Sequence, residues 1–309
     1  MADNKTTSAE VAEATEERNV DTHLSRGALV RRRFFRSATA KIGLFGFLAV
    51  VMLAILGPIL SPWDYTEVDN TSFLKGPSAK HFFGTTQGGR DVFALTVQGL
   101  RQSLIIGISV SLIQTTLAAI IGSTAAYFGK VIDKVILWFI DLLLVVPSFL
   151  LIATISQRAG AARGSIWVFI LLLSAFGWML SARVIRSLTM TVKGLDYVTA
   201  ARYMSVPSYV IITRHIIPNV ASYLIIDAAL GFVAAVMGET TLSYFGFGVQ
   251  APNTSLGVLI SEGQSLTTTS PWIFLAPALL LTLSLVFVNF IGDGLRDALD
   301  PSSKSGGKA

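Results

Sequence analysis

Six stretches almost free of charge limit what this chain can fold into. Ile42–Leu60, Ser103–Phe128, Ser165–Ala182 and Trp272–Ile291 hold no charged residue, and Val135–Ile155 and Val220–Gly238 hold one each, Asp141 and Asp227. About 20 apolar residues in helical form cross a hydrocarbon core, which matches the length of every stretch. Helices buried in a water-soluble protein are shorter and carry charge on one face. Strands of a transmembrane barrel run to about 10 residues of alternating polarity, a pattern absent here. The composition agrees: 52% of residues are hydrophobic and 14% charged, against about 25% charged in soluble domains. The same balance excludes a disordered chain. The expected fold class is an all-α polytopic membrane protein with six transmembrane helices.

The basic residues are distributed unevenly between the two sets of connecting segments. The N-terminal arm and segments 129–134, 183–219 and 292–309 carry 18 of the 24 Lys and Arg, and the alternate segments carry the rest. Lys and Arg mark the cytoplasmic side, so both termini are expected there, with the chain multi-pass in a cell membrane. A pI near 9.5 then reflects the face next to anionic lipid and calls for no nucleic-acid partner. There is no cysteine, so disulfides and thiolate metal sites are excluded. His23, His81 and His215 lack ligand spacing, and no metal site is expected. The first apolar stretch follows 41 polar residues and has no small-residue cleavage site, so it reads as an uncleaved span.

Residues 1–24 read as a mobile cytoplasmic tail and residues 302–309 as a cytoplasmic tail. Residues 25–41 mix a basic cluster with Phe34 and Phe35. They read as an amphipathic interfacial helix, as a topogenic charge cluster, or as both. Segment 61–102 is the longest outer connection, with Gly84, Gly88 and Gly89 permitting tight turns. Arg90 and Asp91 are candidates for a local pair. Segment 183–219 is far longer than a connection requires. Helical spacing over Asp196–Met204, a break at Ser205–Pro207, and a second helix from Ser208 that Pro218 ends predict a rigid projection suited to docking. Segment 239–271 is apolar and glycine-rich, with only Glu239 and Glu262 charged. It reads as a fold-back into the outer mouth, or as a hairpin packed on the helix ends.

An ionisable residue at membrane depth is a functional candidate by default, which singles out Asp141 and Asp227. The alternative role for both is structural, paired with Ser, Thr or Arg from neighbouring helices. Pro147 predicts a kink in the third span. The phosphate-loop pattern G-x-x-x-x-G-K-[ST] is absent, and no catalytic triad or H-E-x-x-H motif is present, so no catalytic residues and no bound cofactor are expected.

Several motifs together resemble a known family. Thr199-Ala200-Ala201, Ser205 and Ile216-Ile217-Pro218 resemble the E-A-A…G…I-x-L-P signature of permeases of bacterial binding-protein-dependent ABC importers, with Thr199 where Glu is typical and Ser205 where Gly is typical. "FGTTQGGRD" resembles L-G-T-D-x-x-G-R-D of the dipeptide/oligopeptide/nickel subfamily, in its second or "C"-type permease. "ETTLSYFGFGVQAPNTSLGVLISEG" resembles that group's E-x-x-L-S-F-L-G-x-G-x-Q-P-P, and Asn289–Pro301 its C-terminal signature. The resemblance spans roughly residues 28–301.

The resemblance implies a type I ABC importer permease bundle in the bacterial inner membrane, and a permease subunit of a peptide importer rather than an enzyme. A homologous permease would complete the pathway as a heterodimer. Two ATPase domains carrying ATP and Mg would dock on the cytoplasmic coupling segment, at Asp196, Thr199, Ala200, Ala201, Arg202, Ser205 and Pro218. The two alanines would sit at the docking surface, and Ser205 in place of Gly implies a turn without positive φ. An extracytoplasmic peptide-binding protein would meet the outer mouth at Gly84, Thr85, Arg90, Asp91, Phe245, Gly246, Gly248 and Gln250. Nickel import by the same subfamily and a stand-alone proton-coupled transporter are the alternatives, and an intramembrane enzyme is disfavoured.

Overall fold

A computed structural model describes residues 26–158, 165–251 and 253–299. The expected tails 1–24 and 302–309 lie outside the described residues. Apart from the irregular stretch 61–91, the long elements of the described residues are helices, and among the described residues the only β pairing is two isolated antiparallel bridges, Val68 with Arg90 and Thr85 with Asp91.

A short basic helix, α1 (Arg26–Arg36), precedes α2 (Ala38–Leu60), whose N-cap Ser37 accepts a hydrogen bond from the Ala40 amide. Phe34 of α1 is buried against Ala40 and Ala298, so this end of the chain is tied to the last helix. The second span, α3 (Val92–Phe128), begins eleven residues before the charge-free stretch. Asp91 caps it, accepting from the Ala94 amide, and Arg101 is carried in the helix. The third apolar stretch forms two helices, α4 (Lys130–Val145) and α5 (Ser148–Arg158), bent by 76° at Val146–Pro147. Where the sequence predicts a kink, Val146 is fully extended, the conformation a following proline imposes.

The fourth span, α6 (Ile166–Lys193), leads through Gly194 into the short α7 (Asp196–Tyr203). The fifth, α8, runs unbroken from Ser208 to Tyr244. Pro218 does not end a helix there, contrary to the sequence expectation. Ile211–Ile216 widen into π-helical turns, with the Ile217 amide donating to Ile212 O, and Pro218 occupies the first turn of the α-helix that resumes. The wider turn absorbs the missing proline amide that would otherwise break the ladder. A nine-residue helix, α9 (Leu256–Gln264), precedes α10 (Trp272–Leu299). The structure therefore holds five long apolar helices plus the broken pair α4–α5, which makes six spans when the pair is counted as one.

At its centre is α3, with half of its apolar window buried against 22% for α2. Its contacts run along α6 and α8, while α10 packs on α2 and α8. Small residues set these approaches. A Cβ at Gly43 would meet Phe287 O at 2.7 Å and Ile291 N at 2.9 Å, so α2 and α10 touch backbone to backbone. Gln114 of α3 fills the space left by Gly177 of α6 and Gly231 of α8. One apolar cluster (Leu100, Leu104, Phe232, Val236, Leu256, Leu281) joins α3, α8, α9 and α10. Another (Ala118, Ile140, Met179, Ala182, Val220) joins α3, α4, α6 and α8 near the opposite end.

Candidate functional site

The bundle carries two polar ends, and each holds candidate residues. At one end α7 bridges the termini of two long spans. Val198 and Ala201, three residues apart on one helical face, are buried against Ile211, Ile212 and Ile216 of α8. Lys193, the last residue of α6, donates from Nζ to the carbonyls of Ala126 and Tyr127 at 3.0 and 2.6 Å. It thereby satisfies acceptors that the end of α3 leaves open. Asp196 lies in the first turn of α7 and Arg202 in its last, each at the end where its charge suits the helix dipole. These ties leave α7 no freedom independent of α3, α6 and α8.

Its outer face is open. Asp196, Ala200 and Arg202 are exposed and Thr199 is half-buried. Tyr203 is 86% exposed, and Met204 and the neighbouring Tyr209 are more than 70% exposed. Ala201 departs from the expected docking surface. It faces inward and seats α7 on its own chain, whereas Ala200 faces out. Ser205 overturns a second expectation, since its φ is +57°. The Val206 amide donates to Ala201 O and the Ser205 amide to Arg202 O, both at 3.1 Å. This is a Schellman ending with a left-handed residue at the position glycine normally takes. Ser205 adopts that conformation at a cost because the hydrogen bonds and the Val206 contact on Val198 and Ala201 leave the chain no other route. Pro218 lies within α8, three turns from Ser208.

At the opposite end, residues 61–91 fold into a small polar knot. His81, 2% exposed, lies between Asp91 (Nδ1 to Oδ2, 2.8 Å) and Asp69 (Nε2 to Oδ2, 3.3 Å). Trp63 stacks on its ring, and Lys80 donates to Asp69 at 2.6 Å. Lys80 and the Thr71 hydroxyl hold the Asp69 carboxyl far below the ordinary carboxylate range. Asp91 therefore pairs with His81 and caps α3, while Arg90 points outward, so the expected Arg90–Asp91 pair does not form. Thr85 is fully buried and binds Lys75 through both its backbone and its hydroxyl, and Gly84 (φ +78°) is buried beside Trp272. Of these four, Arg90 alone is on the surface. Partial desolvation raises the Glu262 carboxyl above its usual range, although the residue is exposed, and nearby Arg90 opposes the shift.

Across the same end, α8 finishes in a second Schellman turn. Phe247 N donates to Leu242 O and Gly246 N to Ser243 O, with Gly246 at φ +78°. Phe245 is 60% exposed, with its ring edge-on to Phe149 of α5. Gly248 is buried against Ser243 with no room for a Cβ, and Gln250 donates back to Gly246 O.

Sequence reading missed Glu239. Placed in the outer segment by the charge-free boundary at Gly238, it is fully buried in α8. Its Oε1 accepts from Ser243 (2.5 Å) and from Ser255 (2.6 Å), and Oε2 accepts from Ser103 of α3 at 3.5 Å. Ser255 is the N-cap of α9, and Ser103 accepts the Leu256 amide. One carboxylate thus fastens the start of α9 to α8 and α3. The spacing Glu239–Ser243, one helical turn, is the signal that placed acceptor and donor on one face.

The two aspartates at membrane depth both have partners. Asp227 is buried and accepts from Thr115 (3.0 Å) and Ser181 (2.6 Å), which ties α8 to α3 and α6. Asp141 of α4 pairs with Arg183 of α6, and Asp133 with Arg186 one step toward the α7 end. No group of three or more metal-ligating side chains occurs among the described residues.

Comparison with known proteins gives two family matches. Residues 92–305 match the binding-protein-dependent transport system inner membrane component, and residues 25–77 match the N-terminal transmembrane domain of oligopeptide transport permease C. The oligopeptide transport system permease protein OppC of Mycobacterium tuberculosis (strain H37Rv) is 47% identical over 91% of this chain and 96% of its own length. OppC of Haemophilus influenzae is 34% identical over 89% of this chain and 88% of its own. The dipeptide transport system permease protein DppC of Bacillus subtilis is 34% identical over 87% and 84%.

Two outcomes are expected from these sites. A left-handed non-glycine residue costs about 1–2 kcal/mol, and glycine's extra unfolded-state freedom returns about 0.5–1. Ser205→Gly should therefore raise the melting temperature of the purified protein by the equivalent of about 0.5–1 kcal/mol, and a lowered value would refute the Schellman assignment. Glu239→Ala removes the acceptor of three buried hydroxyls and should destabilise by about 2–4 kcal/mol. Limited proteolysis should then cut 245–271 faster, whereas Glu262→Ala should leave the cleavage rate unchanged.

Proposed function

Because the chain belongs to the binding-protein-dependent transport system inner membrane component family, we propose a specific division of labour for it within a peptide importer. The protein is a multi-pass permease subunit of an ABC importer for oligopeptides or dipeptides, not an enzyme, and it works with the other components of such a system.

The finer assignment rests on α7. It is a helix packed against three spans, with Tyr197, Tyr203 and Met204 exposed at one end of the bundle. Tyr and Met are side chains that protein interfaces favour at their cores. A cytoplasmic ATPase domain docks there and a second docks on the homologous permease that completes the pathway as a heterodimer. Displacement of α7 passes directly into α6 and α8, because both run without interruption from α7 to the outer end. The α7 end is the cytoplasmic end, and the membrane is the bacterial inner membrane. The basic side chains at that end, Lys130, Lys134, Lys193 and Arg202, support this orientation. ATP and Mg are held by the ATPase domains, and this chain binds no cofactor. The outer surface at Arg90, Phe245 and Gln250 receives an extracytoplasmic peptide-binding protein.

Ala200 is the discriminating position, because it is exposed where Ala201 is buried. Ala200→Trp should leave insertion and thermal stability of the permease unchanged. In the assembled complex it should cut binding-protein-stimulated ATPase activity and peptide uptake by about tenfold or more, the size of a lost interface anchor. Normal stimulation in that variant would remove α7 as the docking helix.

A further inference from the structure

Resting on the importer reading, we propose that the α4 face bearing Trp138, Asp141, Leu142 and Val145, with Arg183 of α6, lines a water-filled path through the membrane. In that path the Asp141–Arg183 pair contacts the charged ends of a passing peptide.

Two independent observations support this. The first is the ion pair. The Asp141 side chain is 61% exposed and that of Arg183 39% exposed, although both lie on apolar spans. The pair nearer the α7 end, Asp133–Arg186, is far less exposed, at 11% and 22%. With Lys134, seven residues or about 10 Å from Asp141 along α4, taken as the membrane boundary, the open pair falls within the hydrocarbon layer. Charged groups at that depth face protein or water, not lipid. Around Asp141, Trp138 is 65% and Val145 81% exposed, so none of the described residues of this chain covers the face.

The second observation is the break. At about 17 Å above Lys134, α4 stops at Val145, and Val146 is extended. Pro147 has no N–H to offer the Leu143 carbonyl. Carbonyls freed mid-membrane are tolerated only in contact with protein or with water. The same helix thus shows, one turn apart, an uncovered ion pair and an uncovered helix end. Beyond the break, α5 continues into a groove lined by Phe149, Thr154, Gln157, Arg158 and Phe247. Water against this face satisfies both features. A carboxylate and a guanidinium presented to that water match the ammonium and carboxylate of a zwitterionic peptide, and each holds the other neutralised when the path is empty.

The chain has no cysteine, so single cysteines can be placed at Trp138, Leu142 and Val145, with Leu48 and Leu279, exposed on other spans, as lipid-facing controls. In the reconstituted complex, a charged membrane-impermeant thiol reagent should label the first three in at least one nucleotide state and leave the controls unlabelled. Equal inertness of all five would overturn the water path. Asp141→Asn/Arg183→Gln keeps the site neutral. If the pair contacts peptide, the assembled double variant should retain its nucleotide-driven labelling changes and lose about tenfold or more in uptake, the worth of one or two charge-assisted hydrogen bonds. Full uptake by the double variant would reduce the pair to a structural clip and overturn the substrate contact. Labelling requires no substrate. A complex that labels as expected but imports no peptide would overturn the importer reading and leave the water path standing.

Discussion

A hydrocarbon layer offers no partner to a polar group, and this constraint organises the whole structure. Several polar side chains that enter the bundle join helices. Asp227 draws in a threonine of α3 and a serine of α6, and Glu239 gathers three serines from α3, α8 and the start of α9. Asp133 and Asp141 each fix α4 to α6 through an arginine. Between these polar ties, small residues let helices approach closely, as at Gly43 and at Gly177–Gln114–Gly231, beside the apolar clusters of larger side chains. In lipid, close backbone approach and a few paired polar groups replace the hydrophobic driving force of a soluble core.

The same ties make the two ends mechanically continuous. From α7 the chain runs through α6 in one direction and α8 in the other, and α8 ends in the polar assembly around Glu239. Glu239 sits near the far end of α8, where it holds α9, so α8 joins the α7 end to the opposite end of the bundle in one helix. The one interrupted span, α4–α5, is the exception. Its 76° bend at Val146–Pro147 lies beside the exposed ion pair, on a face where Trp138 and Val145 are exposed.

Six spans were legible in the sequence because some twenty uncharged residues in a row leave few other folds open. Their ends were not, because a charge stops a charge-free count but need not stop a helix. Arg101 lies inside α3, which continues back to its Asp91 cap, and Glu239 lies inside α8 because three serines accommodate it. Prolines show the same limit. Pro58 and Pro277 sit within α2 and α10, Pro218 is absorbed by a π turn, and Pro147 breaks its helix. Sequence position alone does not separate these outcomes, since they depend on what surrounds the freed carbonyls. At α7 the helix was readable but its orientation was not. Two adjacent alanines point 100° apart, and tertiary packing on Ile211 and Ile216 selected Ala201 for the inside. Ser205 mimics glycine through backbone hydrogen bonds that no residue pattern displays. The outer knot around His81 depends on pairings between residues ten and twelve apart, Asp91 and Asp69, across irregular chain.

In the proposed importer, ATP hydrolysis on partner subunits drives peptide through a path this chain half encloses. Proteoliposomes holding this chain with its homologous permease and ATPase domains test it most directly, with the binding protein inside or outside the vesicle as orientation requires. Uptake of a labelled peptide should require ATP and the binding protein together and should be indifferent to a protonophore. Peptide accumulation by this chain alone, driven by a proton gradient and abolished by the protonophore, would contradict the account.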